Sequence, residues 1–234
     1  MDGALSAESR RDDLVRLFDR DPSLLQRVDA VTAAFLRDHG AVPSVRLEFG
    51  TWHPPLHRAS TRQWLGLLVL DGFLGRPMTV GGRPVVEPLG PGDLLRPWDH
   101  EASAGLVQPR TPWLVLAPVT LAVLDQRLAD VACRTPQFVT ELLCRAFRRQ
   151  TAVAAAVAIA DTPDLEDRAA ALLAYLADHW GEPHAEGALL PADVDEVLVA
   201  MALRVERHES DAVLEALVAR GRVRRPDGRI AVRG

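Results

Sequence analysis

The sequence predicts an α+β chain: a β jelly roll in the N-terminal half, then one long helix, then a small winged helix-turn-helix. Three observations carry this reading. Short apolar runs separated by Gly, Pro and Asp fill Val45 to Asp125, the apolar spacing becomes helical after Pro136, and the chain ends in two helical patterns followed by a basic hairpin. At 234 residues there is enough chain for two cores.

The leading segment, residues 1–41, has apolar positions at helical spacing (Leu14, Leu17, Phe18, then Leu24, Leu25, Val28, Val31, Phe35). Two short helices broken at Asp21-Pro22 are expected there. Residues 42–125 hold the runs "VRLEF", "WLGLLVL", "RPMTV", "RPVVEPL", "WLVLAPV" and "LAVLD". Gly81-Gly82 between two of them signals a hairpin, because only glycine takes two positive φ angles cheaply. Many short strands at this spacing predict an antiparallel sandwich or jelly roll.

In residues 126–161, Val139, Leu143, Ala146, Gln150, Val153 and Val157 step by four and three, the spacing of a two-helix seam. This predicts a dimerisation helix, with Gln150 as a polar residue that sets register. Residues 162–234 form the last unit. Thr162-Pro163 reads as a helix start, and Leu165, Ala169, Leu172, Leu173, Leu176 and Trp180 line one face of the helix that follows. "GEPHAEGALLP" reads as a loop; Asp193 or Asp195 caps the next helix; "RHESDAVLEALVARG" is another, ending at Gly221. "RVRRPDGRIAVRG" closes the unit as two strands around Pro226-Asp227-Gly228.

Composition narrows the function classes. No apolar run approaches the roughly 20 residues of a membrane span, and the first residues lack the apolar core of a signal peptide, so a cytoplasmic protein without a membrane partner is expected. All 27 basic residues are arginine. The whole chain is −5, yet Arg220 to Gly234 carries six arginines against the single acid Asp227. An acidic body with a basic end fits contact with a polyanion at one end only.

Cys133 and Cys144 are too few for a four-cysteine metal or iron–sulfur site. His53 and His57 stand four apart, but Pro54 and Pro55 forbid the helix that would make them a ligand pair. No His-x-His occurs, which argues against a jelly-roll metalloenzyme. Nothing points to catalysis or a metal site and no cofactor is expected, although a haem sensor stays open because histidine ligands leave no spacing signature; no effector is named by the residues.

In this order, the β-rich unit, central helix and winged end resemble the Crp/Fnr superfamily of bacterial transcription regulators over roughly residues 42–234. The family's closing pattern of the recognition helix appears as Leu214, Leu217 and Gly221, its wing as Asp227, Gly228, Ile230 and Val232, and its Leu-Ala pair as Val199-Ala200. The resemblance implies a homodimer on a palindromic double-stranded DNA operator, with RNA polymerase as a further partner. It places Arg207 at the front of the recognition helix, where an arginine fork reaches a guanine. His208 replaces the family's glutamate, Ala212 its second arginine and Arg204 its turn glycine, while Glu209 and Asp211 add negative charge. Arg204, Arg207, His208, Arg222, Arg224, Arg225 and Arg229 are thus the expected DNA contacts. The family's cyclic-nucleotide binders carry Gly-Glu and then Arg-Ser or Arg-Thr for the phosphate. Here Gly92-Asp93 opens the segment, but "LLRPWDHEASAG" has neither pair, so no response to cyclic nucleotides is expected. Asp93, Arg96, Trp98, Asp99 and His100 remain as candidates for another effector pocket. The competing reading is a dimeric small-molecule sensor that acts through a protein partner, its helix-turn-helix having drifted from DNA.

Overall fold

A computed structural model describes residues 9–54, 64–97, 107–185 and 187–233. The chain enters as strand β1 (Ser9–Arg16), which pairs antiparallel with β2 (Ala41–Leu47). Between them lie α1 (Leu17–Arg20), a 3₁₀ turn at Pro22–Leu25, and α2 (Ala30–His39). The first expected helix is thus corrected to a strand and one helical turn. The helical spacing of Leu17 and Phe18 is satisfied within that turn, where both are buried, while the residues before it gain backbone hydrogen bonds along β2.

Eight more strands complete the jelly roll: β3 (Gly50–Trp52), β4 (Gly66–Asp71), β5 (Leu74–Val80), β6 (Arg83–Leu89), β7 (Leu94–Leu95), β8 (Val107–Pro109), β9 (Trp113–Val115) and β10 (Val119–Leu124). One sheet runs β1-β2-β10-β4-β7 and the other β3-β9-β5-β6, with β8 also on β5. The β5–β6 hairpin turns at Gly81 and Gly82, with φ of 55° and 82°, and pairs Val80 with Arg83. "GLLVL" is a continuous apolar run because both of its faces are covered. Leu67 and Val69 point between the sheets with Trp52 and Trp113, whereas Leu68 packs with Leu17, Leu36 and Phe138 on the helical side.

Helix α3 (Gln126–Ala132), capped by Asp125, leads to α4 (Pro136–Asp161). Proline at the first helical position costs α4 nothing, since that N–H would have no partner anyway. Pro163 does not begin the next helix as expected. It follows the Thr162 cap that ends α4, and α5 (Leu165–Trp180) starts instead from Asp164, whose carboxylate accepts from Asp167 N.

The expected loop at 181–191 contains two short strands, β11 (Glu182–His184) and β12 (Gly187–Leu189). After α6 (Glu196–Leu203) and α7 (Arg207–Ala219), β13 (Val223–Arg224) and β14 (Ala231–Val232) finish a sheet of order β11-β12-β14-β13. The loop reading failed because these strands are anchored by β14, more than forty residues downstream, and not by their own sequence.

The C-terminal core is not closed by its own residues. Phe73, from the turn between β4 and β5, is fully buried in it with Leu116 and Ala117, against Ala169, Leu173, Leu198 and Leu214. The Phe73 ring meets Trp180 edge-on at 5.2 Å, and the Trp180 indole donates to the Pro91 carbonyl at 3.0 Å. Among the described residues no helix is long and apolar enough to cross a membrane.

Candidate functional site

Asp195 caps α6 by accepting from Leu198 N at 2.9 Å, and the helix ends at Arg204 in the left-handed conformation (φ 58°, ψ 45°). Two residues on, Glu206 and Glu209 form a capping box, with Glu206 N donating to Glu209 Oε2 at 2.9 Å. Glu209 therefore offsets the positive end of its own helix, a role the sequence reading did not give it. Ser210, fully buried, donates to the Glu196 carbonyl at 3.2 Å and ties the two helices together; Leu214 and Leu217 anchor α7 below. What α7 leaves outward is Arg207, with 71% of its side chain exposed, then His208 and Ala212, with Asp211 half-exposed 4.0 Å from the Arg207 Nε.

The wing turns at Asp227 and Gly228, both at positive φ. Its arginines are less free than their number suggests. Arg222 pairs with Asp167 at 3.3 Å, Arg225 with Glu196, and Arg220, just before the wing, with Glu166 at 2.6 Å. Arg229 donates from Nε and Nη2 to the Leu190 carbonyl, at 3.1 and 2.7 Å. Arg224 is exposed. Between α7 and the wing, Glu196, Arg207, Asp211, Glu215 and Arg225 line a groove of ≈ 600 Å³. Acids outnumber cations there.

In the jelly roll, the Gly92-Asp93 turn is held on both sides. Gly92 N donates to Val69 O, Val69 N to Asp93 O, and Gly90 N to Asp93 Oδ2 at 2.9 Å. Burial, with the nearby Glu87 charge, pushes the Asp93 carboxyl up to about 6. Glu87 is fully buried between Arg76, at 2.6 Å, and Arg149, at 3.3 Å. Burial brings the Arg76 guanidinium down to about 10 despite Glu87. Arg145, only 4% exposed, grips Asp21 with both Nη atoms (2.6 and 3.2 Å) and also donates to Ser23 Oγ at 2.7 Å and to the Gly92 carbonyl at 3.1 Å.

Arg96, a candidate for the effector pocket, is one of several cations near this turn. It donates to the Leu65 carbonyl, while Arg76, Arg145 and Arg149 crowd the turn from β5 and α4. The "FRRQ" run in α4 was the available signal, but only the fold shows which arginine points inward. Trp98, Asp99 and His100 lie outside the described residues, as does His57; His53 is exposed, and no cluster of metal-binding side chains occurs among the described residues.

No family model matches the chain, and no curated protein matches it in sequence. Solved structures do match its fold. A CooA mutant from Carboxydothermus hydrogenoformans aligns with TM-score 0.58 and 14% identity over 96% of this chain and 94% of that one. The c-di-GMP responsive global regulator CLP of Xanthomonas campestris aligns at 0.52 and 16%, over 88% and 100%. A cyclic nucleotide-binding domain containing protein from Listeria monocytogenes EGD-e aligns at 0.55 and 16%, over 71% and 78%. The chain has the Crp/Fnr fold.

Within this Crp/Fnr fold, α4 turns Phe138, Leu142, Arg145, Ala152 and Ala156 toward its own jelly roll. The seam read from the sequence is divided. Leu143 is 52% exposed, but Val139 and Ala146 are half-buried, and Val153 and Val157 lean on Met78 and Val85 of the β5–β6 hairpin. Gln150 lies within the helix. The sequence reading missed Phe147, 63% exposed and one turn after Leu143. Its signal was a large apolar residue between Ala146 and the two arginines that follow, outside the stripe that steps by four and three.

Proposed function

We propose that this chain is a homodimeric, DNA-binding transcription regulator of Crp/Fnr type that does not respond to cyclic nucleotides. The observation that carries the reading is Arg207: it opens α7, stands outward on a helix locked to α6 by Ser210, and needs only to exchange its long, exposed contact with Asp211 to present its fork to base edges in a major groove. Arg222, Arg224, Arg225 and Arg229 are the wing arginines available to phosphates on exchange of their present partners, Arg224 being exposed. His208 flanks Arg207. Exposed Leu143 and Phe147 supply the apolar face that a second copy would cover, with Val139, Ala146, Gln150, Val153 and Val157 the other seam positions of the same helix.

The regulatory half of the proposal follows from saturation. Arg145 and Arg149, the guanidinium groups nearest the Gly92-Asp93 turn, already hold Asp21, Glu87 and backbone carbonyls, so a nucleotide phosphate would have to displace buried ion pairs. An activating role would add RNA polymerase as a partner. A second reading, a sensor that acts through a protein, is favoured by the acids around Arg207, since Glu196, Asp211 and Glu215 would repel a phosphate backbone. Selection of bound fragments from genomic DNA by the purified protein decides between them. The DNA reading expects a palindrome with half-site centres about one helical turn, about 34 Å, apart. Recovery of no enriched sequence at low salt would hand the function to the protein-partner reading.

A further inference from the structure

Between the jelly roll and the C-terminal unit lies a cavity of ≈ 320 Å³, in the size range of small-molecule sites. Val86, Pro88, Ala156, Leu172 and Leu203 give it apolar walls from β6, α4, α5 and α6. Two cations reach it, Arg168 from α5 and Arg204 from the end of α6. Arg168 Nε is buried and without a hydrogen-bond partner, and among the described residues no carboxylate pairs with either arginine. A buried guanidinium N–H left unmatched is costly, so the donor calls for an acceptor.

Arg204 adds a second, independent observation. It holds a left-handed backbone, φ 58°, at a helix C-terminus where glycine would be free of strain. An ordinary residue kept in such a conformation points to a use for its side chain. Here the strained position sets a positive charge on the rim of the cavity whose wall holds the unmatched Arg168.

We propose that this cavity binds a small monocarboxylate with an aromatic or branched apolar body, its carboxylate on the forks of Arg168 and Arg204. Arginine matches a planar carboxylate with two parallel hydrogen bonds. A phosphate would need clustered backbone N–H donors, and the nearby Pro84 and Pro88 have none. Because the walls come from both halves of the chain, an occupied cavity would hold the C-terminal unit in one orientation. That regulatory consequence rests on the DNA-binding reading; the binding itself does not.

The test uses the full chain with benzoate, phenylacetate and 4-methylpentanoate as probes, and benzamide and inorganic phosphate as controls. At millimolar concentration at least one acid should raise the melting temperature and give a saturable calorimetric isotherm, while neither control does. Arg168→Met should weaken that acid roughly tenfold or more. Arg204→Gly should melt higher than the parent without ligand, by relief of strain, and yet bind the acid several-fold more weakly. Ala202→Phe, which fills the cavity, should abolish the shift. The proposal is overturned if no acid binds, or if Arg204→Gly and Ala202→Phe bind it as the parent does, which keeps the test decisive even if Arg168→Met fails to fold. Acid binding without operator recovery would sink the DNA reading alone, and operator recovery without acid binding would sink only this site.

Discussion

Replacing Asp93 by asparagine should make the protein more stable at neutral pH and leave it unchanged in acid. The Asp93 carboxyl stands at about 6 against an ordinary 3.8, chiefly because of burial. A raised value means that the folded chain holds this proton more tightly than the unfolded chain does. The stability it contributes is therefore whole below about pH 3.8 and is lost as the pH rises through about 6. A difference of about two pH units corresponds to roughly 3 kcal/mol. Asparagine keeps an oxygen for the Gly90 N–H at the same place but has no charge to bury. The Asp93→Asn variant should thus gain up to roughly 3 kcal/mol over the parent above pH 7, with the gain shrinking toward zero near pH 4. Asp21 runs the other way. Burial raises its carboxyl, but the Arg145 and Ser23 hydrogen bonds bring it below 3.8 in sum, and since it is present in both proteins it cancels in the comparison. Urea unfolding of both proteins across pH 4 to 8 gives the difference directly. Parallel pH profiles, or a variant less stable than the parent at pH 8, would refute the placement of Asp93 among Glu87, Arg149 and His179.

Three further outcomes follow from the geometry. Leu143→Asp should yield a folded monomer by light scattering, and Phe147→Asp the same; a dimer in both cases would put the interface elsewhere. Cyclic AMP and cyclic GMP at millimolar concentration should leave the melting temperature where it is, whereas a ligand at about 100 times its dissociation constant would add roughly 2.7 kcal/mol of stability. Arg224→Ala should weaken binding to all DNA alike and reduce the salt slope by about 0.9, while Arg207→Ala should cost about 1–3 kcal/mol on the preferred site and relax one base pair per half-site. Equal losses on specific and random DNA for Arg207→Ala would mean that it meets no base.

Much of the architecture was legible because it rests on local chemistry. Gly81-Gly82 could hardly be anything but a hairpin turn, Pro136 opens a long helix, and Pro226-Asp227-Gly228 turns the wing as its residues demand. The two missed strand segments share one physical cause, which is that distant partners outvoted local pattern. Ser9–Arg16 is a strand because β2 offers it a ladder, and Glu182–Leu189 is a hairpin because β14 closes beside it. The same holds for the sites. The family resemblance put Arg207 at the front of a helix, and α7 does begin there, although its contact with DNA remains a proposal. The network around Asp93 was not found, since Arg76, Arg145 and Arg149 arrive from separate elements. The count of wing arginines misled in the opposite direction: Asp167, Glu182, Glu196 and Glu166, all outside the wing, meet them in space.

One guanidinium group also sets which parts of the molecule breathe together. Arg145 joins Asp21 and Ser23 of the entering segment to the carbonyl of Gly92, residues about seventy positions apart, and it is buried behind both. Lifting the entering segment would leave Arg145 only Glu141 of its own helix as a counter-charge, and lifting the turn would strip one more acceptor from a buried guanidinium. Backbone amides near residues 21–25 and 90–93 should therefore exchange with deuterium at a common rate, as a single opening unit, although nothing in the covalent chain connects them.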